Sequence, residues 1–395
     1  MSDNRQYACD LPFHHMSMRP DGQIFPCCYF RWEEVPNDLT SGHPDPFNHP
    51  FLKNIRAKML NDQYIEGCSK CYADERASGR SMRLDMNNRN IEFGFPDSGR
   101  GKVPKLTNID LALSNVCNNK CRMCGPLLST QWYADAKKMG YPFDQKGVVA
   151  RNSIVEDYDL SDLRFIKLLG GEPLMEQDKF IKVLRKCNVE ELTILLVTNT
   201  TLRPNDELLD LLKKCKKITI QLSVDSHGTI NEFLRKGSNW NQVEENVVWY
   251  KETFKDYPVD ISMHSVASIY NVNLVQDLIN YTVNKEIFHN YVVVDGPNWM
   301  MPKNLPEEVK PAVIKKIQKE KTKFVVPNNK KIFDLLEHEI NQPGDFGMFI
   351  RNDIRMNQIR NEHWKDLNPW LWNLVKPYIV EDILEPGQID YINEL

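Results

Sequence analysis

The sequence predicts an α/β fold in three parts, and three observations support this division. Strand-like and helix-like segments alternate regularly from residue 106 to about residue 295. Five of the ten cysteines precede residue 105, in a region rich in turn residues. Residues 300–395 have helical patterns instead of the alternation. We therefore predict a small cysteine-rich domain at residues 1–100, a closed or partly closed barrel at residues 105–298 and a helical C-terminal extension at residues 299–395.

The bulk composition argues against two classes of partner. The net charge of −4 gives no basic footprint for nucleic acid. No stretch approaches the roughly 20 apolar residues that span a bilayer, and residues 1–10 lack the layout of a signal peptide. We expect a cytoplasmic protein without a nucleic-acid or membrane partner. Ten cysteines in such a chain indicate metal or redox chemistry rather than disulfides.

The N-terminal region contains a predicted hairpin and two predicted helices. Apolar residues alternate on either side of Pro20-Asp21-Gly22 within residues 16–28, which is typical of a β-hairpin. Residues 51–60 and 72–86 have helical patterns. A linker is predicted at residues 93–105, which are rich in glycine, proline and charge.

Four cysteines of this region suggest one metal site. Cys68 and Cys71 form a Cys-x2-Cys pair, which presents two thiolates on one turn, and Cys9 and Cys27 would complete a set of four. Structural zinc is an alternative on ligand type alone. Cys28 is expected to pack as a small buried residue, with an exchange for Cys27 as ligand left open.

The barrel is predicted from six strand-like runs separated by helical patterns. Such alternation favours parallel strands with crossover helices, and composition alone equally allows a doubly wound sheet. In either fold, ligands gather at the carboxyl ends of the strands. The runs are Leu106–Leu113, Arg164–Leu169, Leu192–Thr198, Lys217–Val224, Val259–Ala267 and His289–Val294.

The loop after the first of these strands holds Cys117-x3-Cys121-x2-Cys124. Three clustered thiolates suit an iron–sulfur cluster or zinc. A [4Fe–4S] cluster has four irons, so three cysteines leave one iron without a protein ligand. A zinc knuckle is the alternative, but structural zinc is four-coordinate and no further Cys or His follows closely.

Glycine and polar residues lie at the carboxyl ends of the next three predicted strands. Gly170-Gly171-Glu172-Pro173 follows the second strand, and Thr198 and Asn199 follow the third. On the fourth strand the two-residue period puts Gln221, Ser223 and Asp225 on the face opposite the apolar residues, so they would point into the barrel.

The same period assigns inward faces on two more strands. Asn108 and Asp110 share a face of the first strand, and Asp260, Ser262 and His264 share a face of the fifth. Polar residues inside a barrel must be hydrogen-bonded or face a ligand. His264 is therefore a candidate substrate contact or acid/base, and a hydrogen-bonded core histidine is the alternative.

The cysteine spacing, followed by Gly-Gly-Glu-Pro after the second strand, resembles the radical S-adenosylmethionine (SAM) superfamily. Met123 stands where that family often has an aromatic residue. The resemblance implies a partial (β/α)6 barrel and a [4Fe–4S] cluster on Cys117, Cys121 and Cys124 whose open iron is chelated by SAM. It implies SAM contacts from residues 170–173 to the amino group, from Arg235 to the carboxylate, and from Thr198, Asn199, Ser223 and Asp225.

The N-terminal cysteine layout resembles the SPASM and twitch modules of radical SAM enzymes, although those modules normally follow the barrel. This resemblance implies a second, auxiliary [4Fe–4S] cluster on Cys9, Cys27, Cys68 and Cys71. The function implied is reductive cleavage of SAM to a 5′-deoxyadenosyl radical and hydrogen abstraction from a substrate.

A net oxidation or cross-linking of a peptide or protein is favoured, with the auxiliary cluster taking up or relaying the electron left on the substrate radical. The resemblance also implies an electron donor such as a flavodoxin or ferredoxin. One alternative is an oxidoreductase acting as dehydrogenase of a small polar metabolite. An alternative of another class is a non-catalytic zinc or iron–sulfur protein.

Overall fold

The fold is built on one eight-stranded sheet, seen in a computed structural model that describes residues 6–92, 103–141, 158–321, 327–385 and 387–393. The spatial order of the strands is β2-β1-β3-β4-β5-β6-β7-β8, and every neighbouring pair from β3 to β8 is parallel. The strands are β1 (His15–Met18), β2 (Ile24–Phe25), β3 (Asn108–Ala112), β4 (Phe165–Leu169), β5 (Thr193–Thr198), β6 (Lys217–Ser223), β7 (Val259–Ala267) and β8 (Phe288–Val293).

The strand order confirms a partial barrel. A doubly wound sheet reverses its strand order at a switch point, whereas β3 to β8 lie side by side in chain order. All six predicted strands are present, with ends within two residues of the predicted bounds. Burial alternates strictly along β6, where Ile218, Ile220 and Leu222 face the hydrophobic core. The opposite face of the sheet is therefore free to line the barrel interior.

Helices connect the strands and extend the chain after β8. The crossover helices are amphipathic, with apolar stripes such as Phe180, Ile181 and Leu184 buried against the sheet. The helices are α1 (Pro50–Leu60), α2 (Ser69–Ser78), α3 (Met82–Glu92), α4 (Tyr133–Met139), α5 (Gln177–Leu184), α6 (Asp206–Lys213), α7 (Thr229–Leu234), α8 (Trp240–Phe254), α9 (Val275–Asn284), α10 (Lys310–Lys321), α11 (Pro327–Ile340), α12 (Phe346–Arg360), α13 (Pro369–Val375) and α14 (Gln388–Asn393).

The N-terminal region joins the sheet of the barrel. The predicted hairpin is confirmed, since Ser17 of β1 pairs with Phe25 of β2 in antiparallel register. The other edge of β1 pairs in parallel with β3, from His15 opposite Asn108 to Met18 opposite Leu111. The cysteine-rich region therefore adds two strands to the barrel sheet, while its boundary at residue 100 stays a prediction.

The predicted N-terminal helices are confirmed in one case and corrected in the other. The helix at 51–60 is α1. A single helix at 72–86 is wrong, because α2 ends at Gly79, which has a φ of +69°, and α3 starts only at Met82. The left-handed backbone at a glycine is a common way to end a helix. Of the predicted linker, residues 93–102 lie outside the described residues.

The C-terminal extension is helical, as predicted, and docks beside the barrel. Trp364 and Trp372 are buried in a hydrophobic cluster with Ile269 and Tyr270, which follow β7. Helix α12 packs against α4, the helix that follows the cysteine loop. No helix among the described residues is long and apolar enough to cross a membrane.

Candidate active site

The three cysteines after β3 open onto a cavity of about 250 Å³ at the carboxyl ends of β3 to β6. We call it the upper cavity. It brings together residues from four successive strand ends, which sequence periodicity had placed at the same rim. Its lining includes Cys117, Cys121, Cys124, Gly170, Gly171, Thr198, Asn199, Ser223 and Arg235.

One side of the cysteine loop is held by the glycine pair after β4. The Gly171 N–H donates to Ser114 O at 2.9 Å, and the Glu172 N–H donates to Val116 O at 2.8 Å. A Cβ atom at Gly171 would lie 2.3 Å from Val116 O, far inside any normal contact. Glycine at this position therefore allows the two backbones to approach closely.

The other side of the loop is held by residues after α7. The Lys120 N–H donates to Lys236 O, and the Arg122 N–H donates to Leu234 O, both at 2.7 Å. Gly237, at a φ of +107°, passes so close that a Cβ there would lie 2.6 Å from Asn118 O. Two backbone clamps thus fix the loop that presents the thiols.

Glu172 is buried beneath the cavity and does not line it. Its Oε1 accepts hydrogen bonds from the Leu174 N–H at 3.1 Å and from Thr198 Oγ1 at 2.9 Å, and its Oε2 accepts from the Asn199 N–H at 2.7 Å. Burial raises the pKa of Glu172 to about 7, although these donors oppose the shift. Its carboxylate connects the end of β4 to the end of β5. Pro173, also buried, likewise lies outside the cavity lining.

The thiols of the loop lie in a low-dielectric site with a few polar neighbours. The Asn119 N–H donates to Cys117 Sγ at 3.4 Å, and Asn199 Nδ2 lies 3.9 Å from the same sulfur. Burial raises the pKa of Cys121 to about 12 and that of Cys124 to about 11, whereas Arg235 lowers both. Metal ligation requires thiolates, so binding a cluster must displace these protons.

Arg235 lies in the cavity wall as one partner of a buried ion pair. Its Nε lies 2.7 Å from Asp225 Oδ2, and its Nη2 donates to Asp225 Oδ1 at 3.1 Å. Burial disfavours the charge of Arg235, but Asp225 and the nearby thiols raise its pKa. Asp225 also accepts from the Val266 N–H at 2.9 Å. The carboxylate of Asp225 therefore holds the guanidinium of Arg235 in place in the cavity wall.

A second cavity of about 450 Å³ occupies the barrel interior below the first, and we call it the lumen cavity. The predicted inward direction is confirmed for Asn108, Asp110, Gln221 and Ser262, which line it, whereas Asp225 and Asp260 line neither cavity. The remaining lining is Leu11, His15, Met82, Met86, Phe165, Lys167, Thr193, Leu195, Lys217, Thr219, Phe288 and Asn290.

His264 lies between the levels of the two cavities. It pairs in register with Ser223, which lines the upper cavity, and shares a face with Ser262, which lines the lumen cavity. Its Nδ1 lies 3.1 Å from Asn290 Nδ2. Burial lowers the pKa of His264, with Asp225 opposing the shift. His264 thus has a hydrogen-bond partner, and a role in catalysis stays a prediction.

The four N-terminal cysteines assigned to an auxiliary site line one pocket together: Cys9, Cys27, Cys68 and Cys71. Burial raises the pKa of Cys68 to about 12, and the neighbouring Cys71 raises it further. Cys28 is exposed, so the expectation that it packs as a buried residue is wrong. The pocket is also lined by Arg83, whose Nε donates to Glu75 Oε1 at 2.9 Å. Among the residues that the structure describes, Leu11 and Met82 alone line both this pocket and the lumen cavity.

The two donor sets match iron–sulfur chemistry. Four thiolates in one pocket suit a fully ligated cluster, and three suit a cluster with one open iron. Arg83 in one pocket and Arg235 in the other offer positive charge to an anionic cluster. Within the described residues, no three His, Cys, Asp or Glu side chains are close enough to hold a single metal ion.

Arg122, between Cys121 and Met123, is a site residue that sequence reasoning missed. Its side chain is fully buried, with Nη2 2.7 Å from Glu362 Oε1 and Nη1 3.5 Å from Asp353 Oδ1. The guanidinium carbon lies 3.7 Å from the centre of the Phe233 ring. The two acidic partners lie more than 200 residues away in the sequence, so a charged residue between two cysteines was the only signal available.

Residues 111–267 match the family model described as the Radical SAM superfamily. Among solved structures, anSMEcpe with bound AdoMet and the Cp18Cys peptide aligns with 65% of this chain and 66% of its own, at 18% identity and a TM-score of 0.38. Streptococcus suis SuiB bound to S-adenosylmethionine aligns with 60% of this chain and 48% of its own, at 14% identity and a TM-score of 0.34. The alignments thus span less than two thirds of those chains. No curated protein matches.

Proposed function

We propose that this protein, whose residues 111–267 are a radical SAM domain, abstracts hydrogen from a substrate held in the barrel lumen. The observation that carries the proposal is the upper cavity, where three thiols and the ends of β4, β5 and β6 meet. A [4Fe–4S] cluster with SAM, bound at Cys117, Cys121 and Cys124, would supply reductive cleavage of SAM to methionine and a 5′-deoxyadenosyl radical.

The chain's own residues would orient SAM around those thiols. Backbone groups of Gly170 and Gly171 border the cavity and can accept hydrogen bonds from an ammonium group. Arg235, held by Asp225, offers a bidentate partner to a carboxylate. Thr198, Asn199 and Ser223 supply hydroxyl and amide groups along the same wall. The fold restricts the radical to a barrel interior, which limits side reactions.

For the reaction and its substrate, we propose a net oxidation or cross-linking of a peptide or protein. The auxiliary pocket supports it, because a closed four-thiolate site next to the lumen suits electron transfer rather than substrate ligation. Loss of a hydrogen atom followed by loss of an electron is a two-electron oxidation. A small polar metabolite could undergo the same dehydrogenation in the lumen cavity. A flavodoxin or ferredoxin would supply the first electron.

Anaerobic reconstitution with iron and sulfide tests the two metal sites. We expect about eight irons per chain, and about four in both Cys117→Ala and Cys68→Ala. Only Cys68→Ala should keep the ability to cleave SAM to 5′-deoxyadenosine with dithionite. Cys28→Ala is the matched control, because Cys28 is adjacent to a ligand in sequence and outside the pocket lining. It should keep about eight irons.

The alternative of another class predicts a different result. A non-catalytic zinc protein would contain zinc without iron and form no 5′-deoxyadenosine. An electron-transfer protein without SAM chemistry would bind both clusters, but SAM would leave their EPR signals unchanged. An iron count that does not fall in Cys68→Ala would refute the auxiliary ligand assignment.

A further inference from the structure

The lumen cavity continues the upper cavity along the barrel axis. Inward-facing residues two positions apart on one strand line different cavities. On β4, Leu169 lines the upper cavity and Lys167 lines the lumen cavity. On β5, Val197 lines the upper cavity and Leu195 lines the lumen cavity. Two residues of a strand span about 6.6 Å. Lys167 therefore lies one inward residue below the wall of the upper cavity, within reach of a substrate placed between the two.

Opposite charges from adjacent strands face this cavity. Asp110 of β3 and Lys167 of β4 are register neighbours, and both line the lumen. Within the described parts of the chain no ion pair joins them; Asp110 Oδ2 lies instead 3.8 Å from Nε2 of His15. Burial lowers the pKa of His15 and Asp110 opposes the shift, so the neutral form of the ring is favoured.

The charge of the second lysine that lines the lumen cavity, Lys217, is already paired with a carboxylate. Lys217 Nζ lies 2.8 Å from Asp260 Oδ2, whereas no ion pair to Lys167 occurs among the described residues. A half-buried ammonium with three donors and no carboxylate partner favours an anionic acceptor. Polar side chains of Gln221, Ser262 and Asn290 complete this part of the wall.

We propose that the lumen cavity recognises a substrate group in which a carboxylate lies next to an N–H donor. The carboxylate would bind Lys167, and the N–H would donate to Asp110. A dianion such as phosphate would be repelled by Asp110. This inference deepens the proposed function and rests on it. In a peptide the chemistry has two sources, the C-terminal carboxylate beside its own amide and an acidic side chain.

Ligand-observed NMR on the cluster-loaded protein with SAM tests this recognition. The probes are N-acetyl-L-alanine for the C-terminal source, N-acetyl-L-aspartic acid α-amide for the side-chain source, and N-acetyl-L-alaninamide as the neutral match. We expect one or both carboxylates to bind and the neutral amide to bind at least about tenfold more weakly. The carboxylate that binds more tightly identifies the source.

Variants locate the binding at Lys167. Lys167→Met should weaken binding of the carboxylate probe about tenfold or more, and Lys167→Arg should retain part of the affinity that Lys167→Met loses. Lys217→Met is the control, because that lysine is paired with Asp260, and it should leave probe binding unchanged. Asp110→Asn should allow inorganic phosphate to bind. Iron content and SAM affinity equal to those of the wild type establish that each variant is folded.

The proposal is overturned if the neutral amide binds as well as the carboxylates, if no probe binds, or if Lys167→Met binds them as the wild type does. Failure of the proposed function would be seen in a different experiment. Wild-type protein would then form no 5′-deoxyadenosine, and this assay needs no substrate probe.

Discussion

Replacing Arg122 by methionine is expected to lower the free energy of unfolding by about 3–5 kcal/mol. The side chain is fully buried and forms ion pairs with Asp353 and Glu362. Removing one partner of a buried pair leaves the other charges without compensation, whereas methionine replaces most of the lost volume. Asp353 is the more severely affected acid, because it is 1% exposed, while Glu362 keeps Lys236 at 2.8 Å.

Lys236→Met is the matched control for this prediction. It also removes a cation from Glu362, but its side chain is 40% exposed. An exposed ion pair contributes about 0–1 kcal/mol. The two variants therefore remove the same kind of partner from the same carboxylate and differ in burial.

Urea unfolding followed by tryptophan fluorescence provides the measurement. Trp132 is a suitable reporter because its Nε1–H donates to Cys121 O at 2.8 Å, within the loop that Arg122 anchors. A loss in Arg122→Met of less than about 1 kcal/mol, or equal to that in Lys236→Met, would refute the reasoning. Burial raises the pKa of Asp353 and Arg122 opposes the shift, so the loss should be smaller at acidic pH, where the uncompensated carboxyl is protonated.

Three further outcomes follow from the site. Gly171→Ala should lower the free energy of unfolding by about 1–3 kcal/mol and reduce the iron bound at Cys117, Cys121 and Cys124, because the new Cβ would lie 2.3 Å from a carbonyl oxygen. Gly125→Ala should change neither quantity, because there is open space at its Cβ. Urea unfolding and iron assays of the two variants test this. The pKa of Glu172 rises on folding from 4.5 to about 7, so its contribution to the free energy of unfolding is full below pH 4.5 and falls by about 3 kcal/mol as pH rises through 7. If the free energy of unfolding had the same pH dependence in the wild type and in Glu172→Gln, this prediction would be contradicted. Asp225→Asn should weaken SAM binding about tenfold in equilibrium titration by releasing Arg235, and unchanged affinity would exclude the positioning role.

Local patterns predicted the parts of the fold that depend on local sequence. The two-residue period assigned the inward faces of β3, β6 and β7, because alternation along a strand is fixed by backbone geometry. The spacing of the cysteines grouped them into two sets, which line separate pockets.

Contacts between distant segments were not accessible in this way. The parallel pairing of β1 with β3 joins residues more than 90 positions apart, and the partners of Arg122 lie further still. Glu172 illustrates another limit, since its motif gave its neighbourhood and not the direction of its side chain. The carboxylate points into a network with Thr198 and Asn199 and away from the upper cavity.

The distance in sequence between Arg122 and its partners has a consequence for the order of maturation. All four thiols of the auxiliary pocket have been synthesised once residue 71 has left the ribosome. The loop of Cys117, Cys121 and Cys124 is made soon afterwards, but its anchor, Glu362, is added some 240 residues later. During that interval the loop lacks its buried anchor. A nascent chain thus completes the scaffold of its two cysteine sites one after the other, with the site of Cys117, Cys121 and Cys124 last.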